Sequence, residues 1–118
     1  QISNSESNGK YLSMCKKMKI KPHPARFPIR LPEFFIDFLT DENDLVVDIF
    51  GGSCTTGEAC EKKGRKWRCF ELNREYVANS IFRFLPNDYS DKDASILYNK
   101  IIRGENIGEI VSKQLNIF

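Results

Sequence analysis

The sequence predicts an α/β fold, with parallel strands and flanking helices, and three observations point to it. The apolar run Leu45-Val46-Val47 leads through Asp48 into a glycine turn at Gly51-Gly52, and a helix-forming stretch follows. A second apolar-aromatic run, Trp67 to Phe70, ends on Glu71. Apolar residues then recur at helical spacing on both sides of Pro86. A chain of 118 residues allows at most one compact domain. Its 41% hydrophobic content and nine phenylalanines suffice for a small core.

Residues 1–20 are rich in Ser, Asn and Lys and read as a polar basic leader, irregular in isolation. Residues 21–30 hold three of the five prolines and form a stiff extended loop. Pro32 suits a first helical turn, and Phe34, Phe35, Phe38 and Leu39 define one face of a helix over 33–39. Asp41 to Asp44 make a polar turn. Residues 45–50 read as a buried parallel strand, because the apolar run is nearly continuous. A helix over 55–63 closes at Gly64, and 66–71 form the second strand. Residues 74–85 form a helix with Tyr76, Val77, Ser80, Ile81 and Phe84 on one face, stopped by Pro86. A last helix over 92–103 turns Ile96, Leu97, Ile101 and Ile102 inward and ends at Gly104. The β-α-β-α order calls for a parallel sheet with an unpaired edge.

The turn after Asp48 separates three ligand readings. A dinucleotide fingerprint needs G-x-G-x-x-G, which Gly51, Gly52 and Gly57 do not give. A phosphate loop needs Lys and Ser/Thr after its last glycine, where Glu58 and Ala59 stand. S-adenosylmethionine has a ribose and an adenine but no phosphate. Asp48 and Glu58 are tolerable neighbours of its positive sulfonium and amino groups. N–H groups near Thr55 and Thr56 would receive its carboxylate, and Glu71 its sugar hydroxyls. A Gly-Gly turn by itself is usually no more than a turn; the acid at the end of the next strand adds weight to the ligand reading.

The motif set resembles that of β-class amino-methylating DNA methyltransferases. Asp48-Ile49-Phe50-Gly51-Gly52-Ser53-Cys54-Thr55-Thr56 is similar to that family's D-P-F-x-G-S-G-T-T segment. His23-Pro24-Ala25-Arg26-Phe27-Pro28 resembles its H-P-A-x-x-P segment, and Leu31 to Ile36 follows suit. Arg65 to Glu71, with Tyr76, Ser80, Arg83 and Phe84, resembles the region of the ribose-binding acid. Within the class, the likeness is to PvuII-type cytosine-N4 methyltransferases, over most of the chain. It implies a partial Rossmann-like methyltransferase fold with S-adenosylmethionine as cofactor and double-stranded DNA as partner. By the same resemblance Asp48, Phe50, Gly51, Gly52, Ser53, Thr55 and Thr56 line the methionine side. His23, Pro24, Ala25 and Phe27 close over it, and Glu71 grips the ribose. For His23 taken alone, the plainer role is a loop histidine that fixes backbone geometry. Ile49 and Cys54 depart from the family pattern. The Cβ of Cys54 requires the turn either to avoid positive φ there or to accept strain.

The family's catalytic [S/D/N]-P-P-[Y/F/W] loop is missing, since none of the five prolines adjoins another. No catalytic residue is therefore assigned. Residues 21–118 read as the cofactor-binding half of a larger enzyme, and the other half, or a companion chain, would supply the loop. The start at Gln1 fits a fragment or processed chain. Residues 7–32 carry seven basic and no acidic residues, which suits DNA phosphates or simply water. Four cysteines without a C-x-x-C pair, and one histidine, argue against zinc and for reduced thiols in a cytoplasmic protein. Cys54, at a helix start, is the thiol whose pKa a helix N-terminus would lower, although an inert small residue is the plainer reading. Three alternatives stay open: an adenine amino-methyltransferase, a non-catalytic nucleotide-binding module, and a dinucleotide oxidoreductase fragment.

Overall fold

The structure, a computed structural model, describes residues 5–107. Residues 1–4 of the expected leader and 108–118 of the expected cofactor half lie outside the described residues. The elements run α1 (Ser5–Lys17), α2 (Arg30–Leu39), β1 (Leu45–Asp48), α3 (Thr55–Lys63), β2 (Lys66–Cys69), α4 (Arg74–Ser80), a 3-10 turn (Ile81–Arg83) and α5 (Asp91–Ile102). β1 and β2 pair in parallel, with Leu45 opposite Lys66 and Asp48 opposite Cys69. That register brings the strand ends, and the loops after them, to the same edge of the sheet.

Two cores hold the helices to this short sheet. One joins Ile29 and Ile36 to Ala59 and Cys60, with Val46 and Trp67 packed on it. The other joins Tyr11 and Cys15 to Ile81, Phe82, Leu85, Ala94 and Leu97. Trp67 stacks on Phe84, with ring centroids 5.1 Å apart. α3 ends as its sequence predicts: Gly64 takes a left-handed φ of 70° and its N–H bonds to the Cys60 carbonyl.

The structure corrects five expectations. Ser5–Lys17 is helical rather than irregular, because Tyr11 and Cys15, one turn apart, are both buried. On α2 the buried residues are Pro32 and Ile36, which leaves Phe34, Phe35, Phe38 and Leu39 exposed. β1 is four residues long and alternates in exposure, because the helices cover only the Val46 side; Leu45 and Val47 are open. The helix expected over 74–85 tightens to 3-10 geometry at Ile81. Asn79, Ile81, Phe82 and Arg83 are buried, while Val77 of the expected face is exposed. On α5, likewise, Ala94 and Leu97 face inward while Ile96 is exposed.

Candidate functional site

The loops after β1 and β2, together with the proline-rich loop before α2, enclose a cleft of about 490 Å³. His23, Ala25, Phe27, Phe50, Gly51, Gly52, Ser53, Thr55 and Glu71 line it. Nine of the twelve residues expected from sequence are therefore in one place. Pro24 is exposed outside the cleft. Asp48 and Thr56 line a neighbouring apolar cavity beneath α2.

The turn between Asp48 and Thr55 is an elbow built by hydrogen bonds. Asp48 accepts the Phe50 N–H at 2.9 Å and the Thr56 hydroxyl at 2.7 Å. Its carboxylate is thus used in shaping the turn. Gly51 donates to the Phe70 carbonyl at 2.8 Å, which ties the elbow to the end of β2. Gly52 has a φ of 55°, and a Cβ there would stand 3.2 Å from His23 Nε2. Both constraints select glycine.

Glu71 closes the other side. One carboxylate oxygen accepts the Gly52 N–H at 2.9 Å and the other the Asn73 N–H at 3.0 Å. The Asn73 and Gly52 amides, with the nearby His23 ring, hold its acid below the usual carboxylate value. Each oxygen keeps a further lone pair for an incoming hydroxyl.

Cys54 takes the strained course. It sits at φ 64°, ψ 37°, left-handed, with its side chain buried. Its thiol follows the plainer, inert reading rather than the one lowered by the helix start. A hydrogen bond with the Cys69 thiol, together with burial, pushes it up.

Several residues at the site escaped the sequence reading. Arg26 forms part of the cleft wall and donates through Nη1 to the His23 carbonyl. Its buried Nε has no hydrogen-bond partner among the described residues. Ile49, Phe70 and Leu72 add apolar lining. Behind the elbow, Arg83 donates from Nε to the Ser53 carbonyl at 2.6 Å and from Nη2 to the Ser53 hydroxyl at 2.7 Å. Its Nη1 meets Glu58 at 3.0 Å, so Glu58 serves that ion pair rather than standing free for a ligand. The Arg83 guanidinium lies 4.6 Å above the Tyr11 ring. Burial pushes the Tyr11 phenol up to about 12, so it stays protonated near neutral pH. It donates to Asn79 Oδ1 at 2.9 Å and accepts the His23 N–H at 3.0 Å. A signal for α1 was present in the sequence: Tyr11, Cys15 and Met18 follow helical spacing.

With this geometry in hand, the comparisons with known proteins define the class. A family model described as DNA methylase, covering N6 and N4 methyltransferases, matches residues 1–82, and the chain belongs to that family. It is 61% identical over 107 residues to the Type II methyltransferase M.PvuII of Proteus hauseri, spanning 91% of this chain and 32% of that protein. The solved PvuII DNA methyltransferase, named cytosine-N4-specific, superposes with a TM-score of 0.84 at 62% identity, over 89% of this chain and 37% of that one. The DNA adenine methyltransferase YhdJ of Escherichia coli K12 is 33% identical over 72 residues, 60% of this chain and 24% of that protein. The chain spans about a third of the length of the PvuII relatives it matches.

Proposed function

We propose that this chain is the S-adenosylmethionine-binding portion of a site-specific DNA methyltransferase. The complete enzyme methylates the exocyclic amino group of cytosine in double-stranded DNA, within a restriction-modification system of the cytoplasm. One observation carries the reading: the glycine elbow, His23 and the Glu71 carboxylate line a single cleft.

The residues fit the cofactor. Glu71 is held in its charged form by backbone N–H groups and lines the cleft, as a partner for ribose hydroxyls must. The missing Cβ at Gly52 leaves the backbone open beside His23. Thr55 opens α3 at the cleft, where first-turn N–H groups favour a carboxylate, and Arg26 would add a cation there. Phe27, Ile49, Phe50, Phe70 and Leu72 offer apolar walls for the adenine and the methionine chain. Bound in this way, the cofactor would supply an electrophilic methyl group.

A base in duplex DNA must leave the stack to reach that methyl. The base and its catalytic Pro-Pro loop would be held by the remaining polypeptide, which this chain lacks. The exposed apolar residues of α2 and β1 suit burial against it. Basic residues among 7–32 would follow DNA phosphates, except Arg26, which is taken into the cleft wall. Cytosine is favoured over adenine by the higher identity to the cytosine-N4 relative.

Co-expression with a companion polypeptide carrying the Pro-Pro loop, followed by labelled methyl transfer to duplex DNA, tests the reading. N4-methylcytosine in the digested product is expected. N6-methyladenine would shift the base, and no cofactor-dependent transfer would overturn the assignment.

A further inference from the structure

We propose that Arg83 and Tyr11 together are positioning residues that set the spacing of the two walls of the cofactor cleft. This deepens the reading above and rests on it. The Arg83 side chain is fully buried, yet three of its donor nitrogens are matched. Two go to the carbonyl and hydroxyl of Ser53, which lines the cleft, and the third to Glu58 on α3. Ser53, whose own φ is not positive, joins two left-handed residues, Gly52 at φ 55° and Cys54 at φ 64°, so the fork holds the link between them. Cys54, a non-glycine residue, keeps such a conformation only where its surroundings constrain it, and the guanidinium fork fixes the residue immediately before it.

The same pair reaches the opposite wall. The Tyr11 ring carries the Arg83 cation on its face, while its hydroxyl receives the backbone N–H of His23. Asn79 locks that hydroxyl from below and ties its own amide to the Lys21 carbonyl at 3.2 Å. The elbow and the His23 loop therefore hang on one stacked pair. The leader helix α1 becomes part of the cofactor site without touching the cofactor. A lysine at position 83 would keep the charge beside Glu58 but could not reproduce the planar fork onto Ser53.

The test uses the full 118-residue chain, calorimetric titration with S-adenosylmethionine, and amide NMR. Arg83→Lys is expected to weaken binding at least tenfold, and Tyr11→Phe, which keeps the ring but drops the hydroxyl, at least threefold. Thermal midpoints should stay within a few degrees of the parent. Amide shifts should concentrate at 51–55 in the first variant and at 21–25 in the second. Should Arg83→Lys fail to fold, Tyr11→Phe decides. Folded variants that bind within twofold of a binding parent overturn the positioning role alone. A parent chain that takes up no cofactor at millimolar concentration overturns the functional reading, and this proposal with it.

Discussion

The Glu71 carboxylate accepts the Gly52 N–H at 2.9 Å across nineteen residues of chain, so the acid at the end of β2 is fixed by the elbow after β1. The two features read from sequence as halves of one cofactor seat are thus directly bonded. Loss of a charge-assisted pair of hydrogen bonds to a ligand costs roughly 2 kcal/mol or more. Glu71→Ala should therefore weaken S-adenosylmethionine binding by about 30-fold, read by calorimetry. Unchanged affinity would remove Glu71 from the site.

The same carboxylate predicts a pH dependence of stability. Its acid is held below its ordinary value by the Asn73 and Gly52 amides. A group depressed in the folded state stabilises the fold above its unfolded pKa. That contribution is lost as pH falls from about 4.5 through the lower folded value. Thermal midpoints of the parent and Glu71→Gln, measured from pH 7 to pH 3, should differ at neutral pH and converge on the acid side. Because the carboxylate is only partly buried, the gap should be small. A constant gap at every pH would assign the effect to packing.

Gly52 and Gly51 offer a paired test of the elbow. Gly52→Ala places a Cβ at a left-handed φ and 3.2 Å from the His23 ring, costing roughly 1–2 kcal/mol from the backbone alone. Gly51 has no positive φ, but its added Cβ would lie 3.1 Å from Cys69 Cβ and 3.2 Å from the Phe70 carbonyl. Both variants should melt at lower temperature. Gly52→Ala should also lose cofactor affinity, because its methyl intrudes beside His23. Equal affinity in parent and Gly52→Ala would show that the ligand does not approach there.

The uncovered face of α2 sets the behaviour of the chain alone. Phe34, Phe35, Phe38 and Leu39 are between 50% and 75% exposed, and Val47 and Ile49 extend the patch on the sheet side. Among the described residues a two-stranded sheet also leaves β1 with an unpaired edge. Sedimentation should find concentration-dependent self-association, reduced by Phe34→Ser with Phe38→Ser. A chain that stays monomeric at every concentration tested would contradict this.

Much of this site was legible because its chemistry is local. The Asp48–Thr56 turn, the Gly64 cap and Glu71 at a strand end each follow from residues within a few positions of one another. The elements around α3 fell close to their predicted bounds for the same reason. What stayed hidden depends on partners far along the chain. Arg83 is named in sequence only as part of the segment resembling the ribose-acid region, and its role emerges once Ser53 and Tyr11 are brought to it, thirty residues and more away. The phenylalanine stripe on α2 reads as a core face by periodicity, yet nothing within the described residues covers it. Periodicity shows that a face wants burial; it does not say which polypeptide provides it.

A crystal structure of the chain grown with S-adenosylmethionine addresses the central claim most directly. The account predicts density in the cleft between His23 and the elbow, with the ribose hydroxyls on the Glu71 carboxylate and the carboxylate end toward Thr55. The cofactor lodged elsewhere, or a pyrophosphate-bearing nucleotide held at Gly51-Gly52 in competition with it, would contradict the account.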